Sequence, residues 1–278
     1  MKNVNSCITR RALLAGLALV SAGTLAACGN KPAHEHGTIR IGASPSPHAE
    51  ILNEFAAPRL EERGITLDVV EYTDYLKPNE DVISGELDAN YFQHINYLTN
   101  YNEENGSDLV NAGAVHYEPF GMFPGRSSDL NAIADGATIS VPNDPTNEGR
   151  ALLLLQDLGL ITLDEAAGVT ATVNDITDNP HNLQFLEQEA AVLPSTLADV
   201  DFAIINGNYA IDAGLSLADA VATENAESTA IREQYVNIIA TRPELEDDEC
   251  IAALVEVLRG DDFATYLQEA FGESVQAF

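Results

Sequence analysis

The sequence predicts an α/β protein built as two lobes. Strand-like alternation and helix-like apolar spacing follow one another along the chain. The first three elements read strand, helix, strand, as at the start of a parallel α/β sheet. This alternation runs over ~240 residues, more than one core comfortably holds. Apolar residues make up 45% of the chain and charged residues 21%, a globular rather than a disordered balance.

The elements follow in order. Thr38–Ala43 alternates Ile39 and Ile41 and reads as a strand, ended by Ser44-Pro45-Ser46-Pro47. His48 to Arg63 carries Ile51, Leu52, Phe55 and Leu60 at helical spacing, with Pro58 inside to kink or interrupt it and Gly64 as a stop. Ile65–Val70 reads as a strand, Asn79–Ser84 as a short helix and Asp88–Phe92 as a short strand. Ile95–Glu104 reads as a helix and Leu109–Glu118 as a strand. Ala137–Val141 is the next strand and Pro145–Leu158 the next helix. Ala171–Val173, Phe202–Ile205 and Tyr235–Ala240 are expected strands, and Asp248–Phe271 is mostly helical. Gly113–Arg126, rich in Gly, Pro and aromatics, is a candidate crossing between lobes, and the segment before Tyr235 a candidate return.

The N-terminus reads as an export signal. Lys2, Arg10 and Arg11 precede the apolar run Ala12–Val20, which is too short to span a bilayer, and Leu25-Ala26-Ala27-Cys28 follows. That ending resembles the bacterial lipobox, which would make Cys28 the lipid-modified N-terminus. Thr9–Leu14 also loosely resembles a twin-arginine signal. Residues 29–37 read as a polar tether, and His34 and His36 lack the partner cluster a metal site needs. Of three cysteines, Cys7 goes with the signal and Cys28 would carry lipid. Cys250 is left as a core residue, with no internal disulfide expected.

The charge is strongly acidic, 13 Lys+Arg against 44 Asp+Glu. This argues against nucleic acid and anionic lipid as partners. No Walker loop, G-x-G-x-x-G, G-x-S-x-G or HExxH motif is present, so no catalytic, cofactor or metal site is expected.

Four clusters sit where strands end. In Val141–Leu160, Asp144 suits an N-cap and Pro145 a first helical position. The helix start offers N–H groups and a positive dipole end, and Arg150 lies in its second turn. A capped helix with Arg150 paired to an acid accounts for this stretch equally well. Tyr91-Phe92-Gln93-His94-Ile95-Asn96-Tyr97 gathers aromatics, amides and an imidazole at a strand–helix junction. Asn206 follows an apolar strand, and Asn237 should face opposite to Val236 and Ile238.

Taken together and in order, these clusters resemble the methionine-binding lipoprotein family, the NlpA/MetQ type of ABC-transporter receptor. The resemblance rests on Gly42–Pro45 with Pro47–Glu50, on Tyr75–Asn79, on Asp88–Asn90 with Phe92–His94, and on Val141–Asn147 with Gly149-Arg150. Asn206 with Tyr209-Ala210 and Tyr235–Asn237 complete it. It implies a two-lobed periplasmic-binding-protein fold, type II-like, binding a free amino acid in the cleft. Lobe 1 would be 38–117 plus 236–278 and lobe 2 118–235, after a signal peptide 1–27 and a lipidated tether 28–37. Arg150 would grip the ligand carboxylate, and Asn206 and Asn237 its polar head. Tyr75, Phe92, His94 and Tyr97 would line the side-chain pocket, with Asn147 close by. Truncating Arg150 to alanine would abolish binding and leave the fold intact. A permease and its ATPase would be the partners. The alternatives are another amino acid or a short methionine peptide, and beyond those a dehydratase-type enzyme, with His94 and Glu50 as acid–base candidates, or an adhesin.

Overall fold

The computed structural model describes residues 37–278. The signal, Cys28, His34 and His36 lie outside the described residues. Along the chain the strands are β1 (Thr38–Ala43), β2 (Thr66–Glu71), β3 (Ala89–His94), β4 (Val110–Tyr117), β5 (Gly121–Pro124), β6 (Thr138–Pro142) and β7 (Thr162–Leu163). They continue as β8 (Ile176–Asp178), β9 (Gln184–Gln188), β10 (Phe202–Ile205), β11 (Ala222–Thr223), β12 (Val236–Thr241) and β13 (Gln276–Ala277). The helices are α1 (Ala57–Glu61), α2 (Lys77–Ser84), α3 (Ile95–Asn105), α4 (Pro145–Asp157), α5 (Leu193–Thr196), α6 (Gly207–Asp212), α7 (Thr229–Tyr235), α8 (Glu249–Val257) and α9 (Phe263–Phe271).

The strands form a six-stranded sheet, β13-β4-β12-β3-β1-β2, a five-stranded sheet, β11-β5-β10-β6-β9, and a separate antiparallel pair, β7-β8. β1 runs parallel to β2 and β3. β12, returning from the second sheet, inserts antiparallel between β3 and β4. Both sheets are therefore mixed rather than wholly parallel, because each lobe receives strands from both crossings. Ile39, Ile41, Phe55, Leu254 and Phe263 fill the core behind the first sheet. Leu152, Leu154 and Leu155 of α4 pack with Ile139 and Ile204 behind the second.

Two local expectations need correction. The helix expected over His48–Arg63 is not one α-helix. A wide, π-type stretch, Ile51–Ala56, precedes α1, and the Ala57 N–H bonds back to the Leu52 carbonyl. Pro58 lacks the N–H that an α-turn would use there, so the ladder widens just before it. The strand expected at Ala171–Val173 is absent. Short 3-10 turns, Gly168–Thr170 and Val173–Asp175, flank Ala171. This backbone lies against α4: a Cβ on Gly149 would sit 2.2 Å from the Val169 carbonyl oxygen. The loop is shaped by that close approach, and an apolar triplet cannot signal it.

Candidate functional site

α4 begins as its residues dictate. Asp144 accepts from the Asn147 N–H at 3.1 Å, and Pro145 occupies the first turn. The apolar turns beyond, Leu152, Leu154 and Leu155, anchor the helix, so its polar start is fixed in position. Asn147 and Arg150 on that start line a cleft.

All eight residues expected at the site line this cleft: Tyr75, Phe92, His94, Tyr97, Asn147, Arg150, Asn206 and Asn237. The six-stranded sheet supplies His94 and Asn237 as direct antiparallel partners on β3 and β12. Opposed residues of such a pair face the same side. Ile238 is buried in the apolar core on the other side, as alternation requires. Asn206 follows β10 and opens α6.

Asn147 ties the sides together. Its Oδ1 accepts from Asn206 Nδ2 at 3.0 Å and lies 3.2 Å from His94 Nε2. Its Nδ2 donates to both Asp144 oxygens, at 2.9 and 3.0 Å. His94 Nδ1 accepts the Tyr97 N–H at 3.0 Å, so Nε2 carries the proton and donates to Asn147. Burial, with the positive charge of Arg150 adding to it, pulls the His94 pKa down to about 3. His94 is neutral over the physiological range.

Arg150 is not alone. Its Nε donates to Glu224 Oε2 at 3.0 Å, and its Nη2 bonds Glu224 Oε1 and the Glu118 carbonyl, the latter at 2.8 Å. Glu224 also accepts from the Tyr117 hydroxyl at 2.5 Å and the Phe120 N–H at 2.8 Å. Burial opposes the guanidinium charge, but Glu224 beside it more than offsets this and raises its pKa. The ring of Tyr235 lies 4.2 Å and that of Phe120 4.6 Å from the guanidinium carbon, within cation–π range. Nη1 has no hydrogen-bond partner among the described residues. The expectation that Arg150→Ala would spare the fold now carries a cost in stability. It would strand the buried Glu224 carboxylate, and breaking such a pair costs about 3–5 kcal/mol.

Gln93, Gly207 and Asn208, to which the sequence assigned no role of their own, also line the cleft, as does Glu118, which sequence reasoning missed. Glu118 is buried, and burial raises its pKa while His48, Arg150 and the Asn208 N–H work against that. Its signal was present but diluted: it is one of 44 acidic residues. Asn206 Oδ1 and Asn208 Nδ2 are buried without a protein partner, an acceptor and a donor in the same lining. Buried polar atoms are nearly always satisfied, so such orphans point to a polar ligand.

The opposite end of the cleft is aromatic. Tyr75 lies 5.6 Å from Phe92, 5.8 Å from Tyr97 and 5.1 Å from Tyr209, ring centre to ring centre. The Tyr75 hydroxyl donates to Asn208 Oδ1 at 2.6 Å, and the Tyr209 hydroxyl to the Thr73 carbonyl at 3.3 Å. These bonds span the two sheets' sides of the cleft and fix the cage.

The fold and this cleft define a two-lobed binding protein of the periplasmic type. The chain belongs to the NlpA lipoprotein family, whose sequence profile matches residues 39–278. It is similar to the methionine-binding lipoprotein MetQ of Bacillus subtilis, 41% identical over 273 residues that cover 96% of this chain and 98% of the relative. A nutrient-binding protein from Burkholderia cenocepacia, solved bound to methionine, matches with a TM-score of 0.81 at 38% identity, over 86% of this chain and 99% of that one. A lipoprotein structure from Ruminococcus gnavus matches at 0.85 and 49% identity, over 87% and 99%.

Proposed function

We propose that this protein is the extracytoplasmic receptor of an ABC importer, held to the membrane by lipid on Cys28, and that it binds free methionine in the cleft. The loaded form would deliver the amino acid to a permease driven by its ATPase. The names of the relatives support methionine as the ligand. The observation that carries the reading is that one cleft lining holds Arg150, with its Nη1 unbonded, the Glu118 carboxylate and an aromatic cage. A zwitterion needs a cation for its carboxylate and an acceptor for its ammonium, and this end of the cleft holds both. Asn206 Oδ1 adds a second acceptor and Asn208 Nδ2 a second donor. A thioether suits the cage, with sulfur–aromatic contacts of about 0.3–1.5 kcal/mol each.

The two lobes are taken as 38–117 with 236–278, and 118–235, a division supported by the membership of the two sheets. Lobe closure by hinge motion would exclude water and strengthen the polar contacts. We take the protein to be a receptor and not an enzyme. His94, pulled down to about 3, is a poor general base at neutral pH. Glu50, the other candidate, is hydrogen-bonded to Ser46.

The test is to purify the protein under native conditions, denature it and identify what is released by mass spectrometry, with calorimetry on ligand-stripped material. Released methionine and micromolar or tighter binding are expected. Another amino acid or a peptide would redirect the ligand assignment. No binding of any amino acid would end the receptor reading.

A further inference from the structure

Glu118 is held by side chains that do not line the cleft. His116 Nε2 lies 2.7 Å from Glu118 Oε1, and its Nδ1 bonds the Tyr91 hydroxyl. His48 Nε2 lies 3.5 Å from the same Oε1 and 3.0 Å from Asn237 Oδ1. His48, Tyr91 and His116 are buried and meet edge to face, with ring centres 4.6 to 5.3 Å apart.

The proton positions follow from the partners. A carboxylate only accepts, so His116 Nε2 carries the hydrogen facing Glu118. Burial holds the His116 pKa down to about 3, so the ring is neutral and its Nδ1 is a lone pair. The Tyr91 hydroxyl therefore donates to Nδ1. The resulting chain runs Tyr91 O–H to His116 Nδ1, then His116 Nε2–H to Glu118. It orients the carboxylate with a dipole and supplies no counter-charge. A protonated histidine in this place would neutralise Glu118 and remove its attraction for an ammonium group. Ligating atoms of His48, His116 and Glu118 lie within 4.8 Å of one another, a spacing that a metal site would also need. Their hydrogen bonds already satisfy the His116 and Glu118 atoms, so the geometry favours a proton network.

We propose that His116, set by Tyr91, is the positioning residue that makes this cleft demand a ligand α-ammonium. It fixes Glu118 as an oriented acceptor and adds no counter-charge of its own. The inference rests on the reading of Glu118 as the ammonium partner. It goes beyond that reading by placing the discrimination in side chains that never meet the ligand.

The test uses the full-length protein in detergent and calorimetry with two probes, methionine and 4-(methylthio)butanoate, which lacks only the amino group. The native protein should prefer methionine by roughly 10- to 100-fold, the range of a hydrogen bond to a charged group. His116→Phe should weaken methionine and leave the amine-free probe nearly unchanged, so that the preference collapses to a few-fold. His116→Gln, which can present an N–H at the Nε2 position, should restore most of it. Equal losses for both probes, or an unchanged preference, would overturn the proposal. Tyr91→Phe removes only a hydroxyl and serves if His116→Phe fails to fold: the preference should drop several-fold, and its persistence would also overturn the proposal. Glu118→Gln separates the two levels. If it keeps the preference, the reading of Glu118 itself is wrong. If it loses the preference while His116→Phe keeps it, Glu118 stands and the role of His116 falls.

Discussion

The two ends of the cleft are built on different principles. At the polar end, Arg150, Glu224, Glu118 and Asn147 are locked by hydrogen bonds to one another, to backbone and to buried tyrosine and histidine. Each of these groups has a fixed direction and, for the charged ones, a fixed partner. At the aromatic end, Tyr75, Phe92 and Tyr97 present faces and edges over 5 to 6 Å separations, with Tyr209 packed against Tyr75. On the proposed reading, electrostatics would fix the ligand's head, where an error of direction is costly in a low dielectric. Dispersion and apolar burial would hold the tail, where contacts are individually small and tolerant of shape. The polar end should therefore decide whether a molecule binds, and the aromatic end how well.

The largest expected effect comes from breaking the buried pair at the polar end. Arg150→Ala should lower stability by about 3–5 kcal/mol and eliminate measurable methionine binding, read by denaturant unfolding and calorimetry. Replacing both Arg150 and Glu224 with apolar residues of similar volume should recover much of the stability and none of the binding. If the single variant unfolds like the parent, Glu224 is not dependent on Arg150 and the polar end is less tightly wired than described.

The next effect tests how α4 is placed. Gly149→Ala would put a methyl group 2.2 Å from the Val169 carbonyl oxygen. Overpacking of this kind costs about 1–3 kcal/mol. The thermal midpoint should fall, and binding should weaken because Asn147 and Arg150 ride on the same turns. An unchanged midpoint would mean that the 168–171 backbone yields easily.

At the aromatic end the effects should be smaller. Phe92→Leu keeps an apolar wall and loses a ring edge, so methionine affinity should fall by roughly 3- to 10-fold, the scale of one or two sulfur–aromatic contacts. Norleucine, which replaces sulfur with a methylene, should bind the native protein within the same range. A loss as large as that of Arg150→Ala would erase the distinction between the two ends.

The last effect is read as a pH dependence and concerns His94, which joins them. Its pKa is about 3 in the folded protein against 6.5 as a free group. The unfolded chain thus takes up a proton below pH 6.5 that the folded chain refuses. The stability associated with neutral His94 is fully present above pH 6.5 and is lost as the pH falls toward 3. His94→Gln should therefore gain stability relative to the parent as the pH is lowered from 7 to 4. A constant difference across that range would mean that His94 is not held neutral by burial.

Much of this was legible in the sequence where local chemistry speaks for itself. The Asp144 cap, Pro145 and the leucine run specify α4 without help from the rest of the chain. Val236 and Ile238 flanking Asn237 gave its direction, since side chains alternate along a strand. The eight cleft residues, however, came together through family resemblance; the pattern around Arg150 alone left a capped helix and a binding site equally open. What stayed hidden depends on contacts between distant segments. Glu224 is 74 positions from Arg150 and Glu118 is 32 away, and neither differs in type from dozens of surface acids. A buried arginine implies a buried acid somewhere, but periodicity cannot say which one. β12 was expected as a strand, but its antiparallel placement was equally hidden, because its neighbours are set by the return crossing and not by its own residues.

The most direct test of the whole account is a crystal structure of the protein with methionine. The account predicts the carboxylate on Arg150 Nη1, the ammonium within hydrogen-bond distance of Glu118, and the thioether among Tyr75, Phe92 and Tyr97. A methionine lying the other way round, or bound with neither Arg150 nor Glu118 in contact, would contradict it.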